Sequence, residues 1–260
     1  MPITKSELVS KMPVIAQFDG NSFVLGGGVA IFHVATGRVV VCSLMYHGQQ
    51  VYFLPKGRRD AGEESGTGAE REGYEEVLYR IWRTIGCNDT DSTKQSGYRN
   101  RLLPLPTAHC QPQAHPRIHA PSLTAEPVWM QLMPLGTRQY VFYWYVAETL
   151  PPDVEVTLET QAGEAYKPPP SYPRGLPLKE RIKQEPEGYE PRHHENTGVD
   201  AAERTYKSEL MNVEDAVKLL RAGDPSMGRV MADVVLKGWE GIQQRFAMED
   251  AATHESPEAV

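Results

Sequence analysis

Residues 57–85 constrain the fold more than any other part of the chain, because charged and apolar residues recur there at a helical repeat. We predict a helix over 69–85. Its carboxylates, Glu72, Glu75 and Glu76, fall on one side of this helix. Such a helix packs its apolar side on another layer and holds its carboxylates towards an open cleft. The apolar side consists of Tyr74, Val77, Leu78, Ile81, Trp82 and Ile85.

Strands and closing helices are predicted around this helix. A hairpin and one short strand precede it, and three strands follow, the last of them highly aromatic and central. Strands, a helix, more strands and closing helices predict an α/β fold with a mixed β-sheet between helical layers. The predicted strands are 28–34, 39–44, 51–54, 101–105, 128–133 and 139–147, and the predicted closing helices are 213–222, with Asn212 as N-cap, and 227–246.

One domain with insertions is the predicted organisation. The 260 residues, 40% of them hydrophobic, are enough for one sizeable core. Residues 151–202 are rich in Pro, Glu, Gly and Lys, which predicts a long mobile insertion. In a binding or regulatory module, the same insertion would be the docking segment for a protein partner. The full division is an N-terminal extension over 1–25, a domain over 26–246 with insertions at about 107–127 and 151–202, and a flexible tail over 247–260.

Net charge and cysteine content restrict the partners and the compartment. A net charge of −7 gives no general attraction to nucleic acid or to an anionic membrane. The sequence also lacks an apolar run of about 18 residues, the length of a membrane-spanning helix. Three irregularly spaced cysteines are typical of a reducing compartment. We therefore expect a cytoplasmic protein, with the nucleus as an open alternative.

The carboxylates of the predicted helix suit a metal ion. Glu72, Glu75 and Glu76 are spaced i, i+3 and i+4, so that they share one helical face and repel one another unless a cation neutralises them. Mg²⁺ accepts a few carboxylates and completes its shell with water and phosphate. It would polarise a phosphoryl oxygen and acidify a bound water, as pyrophosphate hydrolysis requires. The alternative is an ordinary solvated acidic helix.

The spacing of residues 57–79 resembles the Nudix box of the Nudix hydrolase superfamily. Two positions depart from the box: Gly73 replaces an apolar residue, and Leu78 replaces the glycine that normally ends the helix. These departures leave the bounds of the helix and the level of activity open, but they remove no metal ligand. The matching residues are Gly57, Glu63, Arg71, Glu72, Glu75, Glu76 and Tyr79.

The resemblance implies a Nudix fold and a metal-dependent hydrolase of phosphoanhydride bonds that uses Mg²⁺ or Mn²⁺. It gives Arg71 an orienting ion-pair role and Gly57 a tight backbone path. The implied metal ligands are Glu63, Glu72, Glu75 and Glu76.

Water activation is the other role that the resemblance assigns. Glu72 is the implied general base. Some members of the superfamily take the base from a later loop, which leaves Glu164, Glu195 and Glu203 as alternatives.

The segment before the box narrows the substrate class. Residues 54–57, Leu-Pro-Lys-Gly, are similar to those of dinucleoside polyphosphate and diphosphoinositol polyphosphate hydrolases. This resemblance implies a small-molecule polyphosphate substrate, either nucleoside diphosphate-linked or of the diphosphoinositol type. Lys56, Arg58 and Arg59 are the predicted phosphate-binding cluster. The alternative for these three cations is ordinary surface charge beside a loop.

Two competing functions remain at this stage. The first is a Nudix-fold binding or regulatory module without turnover, and retention of the four box glutamates argues against it. The second is mRNA decapping, which the negative net charge and the lack of a basic stripe disfavour.

Overall fold

A mixed sheet with helices on both faces forms the framework of the chain. The computed structural model describes residues 15–46, 48–75, 97–106, 123–158, 166–194, 197, 207–223 and 227–254. Within these residues eight strands belong to one sheet. The predicted α/β class with a sheet between helical layers is confirmed. No helix in these ranges is long and apolar enough to cross a membrane.

The regular elements are as follows. The strands are β1 (Phe23–His33), β2 (Arg38–Tyr46), β3 (Gln49–Phe53), β4 (Lys56–Arg58), β5 (Asn100–Leu102), β6 (Trp129–Leu135), β7 (Arg138–Thr149) and β8 (Lys207–Asn212). The helices are α1 (Ser65–Glu75), α2 (Pro152–Thr157), α3 (Leu178–Ile182), α4 (Val213–Ala222) and α5 (Met227–His254).

Two parallel strands, β1 and β7, form the centre of the sheet. The predicted hairpin is confirmed, because β2 runs antiparallel to β1. Both β3 and β8 pair with β2, and β4 pairs with β1. Both β5 and β6 pair with β7, which confirms the aromatic strand as a central one. Neither β8 nor β4 is among the strands predicted from the sequence.

The central strands are buried on both faces. In β1, Val29 and Ile31 pack in a cluster with Ala69 of α1, whereas Ala30 and Phe32 pack with residues of α4 and α5. Successive side chains of a strand point to opposite faces, so α1 covers one face of the sheet, and α4 and α5 cover the other. Burial on both faces explains why these strands are nearly continuous apolar runs.

Helix α1 packs closely on the sheet. It begins at Ser65, one turn before the predicted start, and its residue Ala69 is fully buried against the sheet. A Cβ atom on Gly73 would lie 2.5 Å from Asn100 Nδ2 and 2.9 Å from Val29 Cγ1. Glycine replaces the apolar residue there because the helix leaves no room for a side chain. The rest of the predicted helix, from residue 76, lies outside the described residues.

The described residues of 151–202 include side chains that are buried against the core. Leu178 is fully buried, and Arg181 is 1% exposed. The Arg181 guanidinium lies 2.9 Å from Glu148 of β7 and donates a hydrogen bond of 2.9 Å to the Thr149 carbonyl. The prediction of a mobile insertion is therefore wrong for residues 151–158 and 166–194.

The closing helices differ from the prediction at their ends. Helix α4 spans the predicted residues, but the side chain of Asn212 makes no capping hydrogen bond. Helix α5 continues to His254, so that the predicted flexible tail is helical from 247 to 254. Glu249 binds Arg245 at 2.7 Å and accepts the Leu178 N–H at 2.7 Å. This part of the helix therefore holds α3 in place.

Candidate functional site

Strand β4, the following loop and helix α1 bring the described box residues together around one guanidinium. Arg71 Nε donates to Glu63 Oε1 at 2.9 Å, and Arg71 Nη2 donates to Glu63 Oε2 at 3.0 Å. Arg71 Nη1 donates to Glu72 at 2.9 Å and to Glu75 at 3.1 Å. The carbonyl of Arg58 accepts a further bond of 3.0 Å. The carboxylate cluster, defined as Glu63, Glu72 and Glu75, is thus gathered by Arg71.

Gly57 gives Glu72 its place beside β4. The Glu72 side chain lies directly against the Gly57 backbone, so that a Cβ atom on residue 57 would overlap its carboxylate group. Glu72 is only 1% exposed as a result. The sequence analysis assigned Gly57 to a tight backbone path, whereas the structure shows that it makes room for a carboxylate.

The loop carboxylate of Glu63 is held in its ionised form. Burial raises the pKa of Glu63, but the Arg71 hydrogen bonds, the Asp60 N–H and the positive charges of Arg71 and Arg59 lower it more. The pKa of Glu63 therefore lies below its ordinary value. The Asp60 N–H donates to Glu63 Oε2 at 2.9 Å, so that the loop backbone fixes the side chain.

The pKa of Glu75, on helix α1, is shifted in the opposite direction to that of Glu63. Burial raises the pKa of Glu75, with further contributions from the negative charges of Asp60 and Glu63, and the bond from Arg71 only partly offsets it. Burial also lowers the pKa of Arg71, but the surrounding carboxylates raise it above its ordinary value. The cluster therefore has more negative charge than one guanidinium compensates.

The three predicted phosphate-binding cations are not brought together. Neighbouring residues of β4 alternate between the two faces of the sheet. Gly57 faces α1, whereas Lys56 and Arg58 leave the strand on the opposite face, where Lys56 Nζ lies 5.8 Å from the Phe53 ring centroid. Lys56 is 2% exposed. Arg59 is the cation that lies beside the carboxylate cluster.

The donor set suits a hard divalent cation in its chemistry. Glu63, Glu72 and Glu75 offer carboxylate oxygens, which Mg²⁺ and Mn²⁺ prefer. Within the described ranges no group of three or more acidic, histidine or cysteine side chains has an arrangement that could hold a metal ion. The oxygens bind Arg71 instead. Glu76, the fourth predicted ligand, lies outside these ranges, as do the alternative bases Glu164, Glu195 and Glu203.

Two residues near the cluster were missed by the sequence analysis. Glu70 accepts the Leu102 N–H at 2.7 Å, and burial raises the pKa of Glu70 to about 7. Tyr166 lies with its ring centroid 6.1 Å from that of Tyr74. Position 166 belongs to a Pro-rich stretch without periodicity, so the sequence contains no pattern that would connect it to the helix.

A separate cavity of about 600 Å³ lies over β2, β3 and β8, with Tyr98 and His193 in its lining. None of the box residues lines it. His193 and Ser208 lie within hydrogen-bond distance across it, at 3.0 Å. The cavity therefore contributes nothing to the carboxylate cluster.

Comparison with known proteins gives distant structural likenesses. One is to a NUDIX hydrolase from Nitrosomonas europaea, with 9% sequence identity and a TM-score of 0.39, over 84% of this chain and 89% of the other. Another is to an Ap4A hydrolase from C. elegans in a binary complex, with 13% identity and a TM-score of 0.32, over 88% and 98%. No protein-family model matches the sequence, and no curated protein does. Values this low leave the assignment of function to the geometry of the site.

Proposed function

We propose that the chain is a hydrolase of phosphoanhydride bonds in small-molecule polyphosphates, dependent on Mg²⁺ or Mn²⁺. The observation that carries this proposal is the convergence of Glu63, Glu72 and Glu75 on Arg71, at distances of 2.9 to 3.1 Å. A solvated acidic helix would not bury Glu72 against a glycine or share one guanidinium among three carboxylates.

Excess negative charge gives the cluster its affinity for a cation. The ligands in this proposal are Glu63, Glu72, Glu75 and Glu76. A bound divalent cation would supply polarisation of a phosphoryl oxygen and a more acidic water. Arg71 holds the carboxylates in place through its hydrogen bonds, which is an orienting role rather than contact with the substrate.

Glu72 is the proposed general base. Its carboxylate is buried between Arg71 and the backbone of Gly57, so that its orientation is restricted. A restricted carboxylate at the wall of the site can accept a proton from an attacking water without first losing side-chain freedom.

The proposed substrates are nucleoside diphosphate-linked compounds and diphosphoinositol polyphosphates. Among the predicted cations, Arg59 is the best placed to contact phosphate, because it lies beside Glu63. Lys56 is buried on the other face of the sheet and Arg58 leaves the strand on that same face, so we assign neither of them a phosphate contact.

A substrate panel with a matched variant tests the proposal. Dinucleoside polyphosphates, nucleotide sugars, ADP-ribose and diphosphoinositols are incubated with Mg²⁺ or Mn²⁺, and phosphate-containing products are measured. We expect Glu72→Gln to reduce kcat about a hundredfold or more on any active substrate, as loss of a general base does.

The control is Glu64→Gln, an exposed carboxylate in the same loop, which should retain full activity. Absence of turnover on the whole panel, or equal turnover in the Glu72 and Glu64 variants, would contradict the proposal. Binding without turnover would instead indicate a silent binding module.

A further inference from the structure

Tyr166 has an unusual orientation. Tyrosine normally buries its ring and keeps its hydroxyl group in water. Here the residue as a whole is partly exposed, but the hydroxyl oxygen is buried and has no hydrogen-bond partner within the described ranges. An orphaned buried hydroxyl is unfavourable, because it loses hydration and gains nothing in return.

Tyr166 lies next to α1, and charged side chains act on its buried hydroxyl group. The ring of Tyr166 lies 6.1 Å from that of Tyr74 on α1. Burial raises the pKa of Tyr166, and so do the negative charges of Glu70 and Glu75, while Arg99 and Arg71 oppose them. The hydroxyl group therefore stays protonated and can donate a hydrogen bond to an acceptor on α1.

Glu70 and Glu75, whose negative charges raise the pKa of Tyr166, differ in the hydrogen bonds that they already accept. One oxygen of Glu70 accepts the Leu102 N–H at 2.7 Å and belongs to the packing of α1 on β5. Within the described ranges, Glu75 accepts a hydrogen bond through Oε2, from Arg71 at 3.1 Å. Arg71 also serves Glu63 and Glu72, so its bond to Glu75 is the one that a competing cation would displace most readily.

We propose that Tyr166 is a positioning residue for Glu75: its hydroxyl group donates a hydrogen bond to the Glu75 carboxylate when a divalent cation draws that carboxylate away from Arg71. The inference rests on the proposed function, since it assigns Glu75 as a metal ligand. Carboxylates that bind metals are commonly held by a second hydrogen bond of this kind. A segment outside the box, at residues 166–194, thereby becomes part of the site.

The test is Tyr166→Phe, which removes only the hydroxyl group. We expect the metal-free variant to have a Tm equal to or above that of the wild type, because the lost group has no partner. The Kd for Mn²⁺, measured without substrate, should rise about tenfold, as expected when a group that orients a ligand is lost. On an active substrate kcat should fall, with KM nearly unchanged.

Tyr189→Phe is the matched control from the same segment. Its hydroxyl group donates to the Leu150 carbonyl at 3.2 Å, so this variant should lose thermal stability and keep its Mn²⁺ affinity. A Tyr166 variant that behaves like the Tyr189 variant would overturn the inference. So would a wild-type protein that binds no Mn²⁺. Tyr166-dependent Mn²⁺ binding without turnover on the panel would support the inference and contradict only the proposed function.

Discussion

Two groups of charged side chains in the described part of the chain differ in the number of cations that accompany their carboxylates. In the carboxylate cluster, Glu63, Glu72 and Glu75 all bind the same guanidinium, that of Arg71. In the second group, called here the buried network, Glu148 and Glu185 bind Arg101, Arg181 and His33 at 2.6 to 3.1 Å. The first group has an excess of negative charge, whereas the second has a cation for each carboxylate.

The side chains of the buried network are also less exposed to solvent than Glu75 and Arg71 of the carboxylate cluster. The side chains of Glu148 and Arg181 are 0% and 1% exposed, whereas those of Glu75 and Arg71 are 15% and 11% exposed. A balanced and dry network has no need of an ion and no route for one. A cluster with excess negative charge that is partly open to solvent would be stabilised by a further cation, as our proposal requires. We therefore expect the buried network to stabilise the fold and the carboxylate cluster to bind a cation.

The largest effect is expected from the buried network. Arg181→Met leaves Glu148 and Glu185 each with one partner less, and we expect a loss of about 3–5 kcal/mol in the free energy of unfolding. Arg71→Met should lose less, about 1–3 kcal/mol, because water can reach two of its three carboxylates, Glu63 and Glu75. Urea unfolding of the metal-free proteins measures both.

An exposed pair supplies the baseline for these variants. Lys183 binds Glu180 at 2.7 Å, with the two side chains 70% and 54% exposed, so Lys183→Met should change the stability by less than about 0.5 kcal/mol. Equal losses for Arg181 and Arg71 would remove the distinction between the two groups.

The sequence predicts the carboxylate cluster better than the buried network. Residues Glu63, Arg71, Glu72 and Glu75 are near neighbours in the chain, and helical spacing relates three of them. Arg181 and Glu148 are joined only by the tertiary fold. In sequence, Arg181 lies in a Pro-rich stretch that resembles a linker, which is why the packing of this segment was not predicted.

The strands that were predicted and those that were missed differ in the same way. The strands β1, β2 and β7 are apolar runs buried on both faces, and their pattern is visible in the sequence. The residues of β8, Lys-Ser-Glu-Leu-Met-Asn, have little strand propensity. Their strand conformation depends on pairing with β2. The fit of Glu72 against Gly57 likewise depends on how close α1 lies to β4.

A smaller effect is expected at Glu70, whose pKa burial raises to about 7. Because the folded-state pKa lies above the unfolded one, this group favours folding at low pH, and the benefit is lost as the pH rises through about 7. Glu70→Gln keeps an acceptor for the Leu102 N–H and removes the charge. We expect it to stabilise the metal-free protein by about 1–2 kcal/mol near pH 9 and by almost nothing near pH 4. Urea unfolding across this range measures the difference, and a gain independent of pH would contradict the assignment.

Titration of the metal-free protein with Mn²⁺, followed by the electron paramagnetic resonance of the free ion, tests the central claim most directly. The wild type should bind Mn²⁺ saturably without substrate, and the Glu72→Gln, Glu75→Gln double variant should not. A double variant of two exposed carboxylates, Glu180→Gln with Glu187→Gln, should bind as the wild type does. Absence of saturable binding in the wild type, or equal binding in both double variants, would contradict the claim that the excess charge around Arg71 is a metal site.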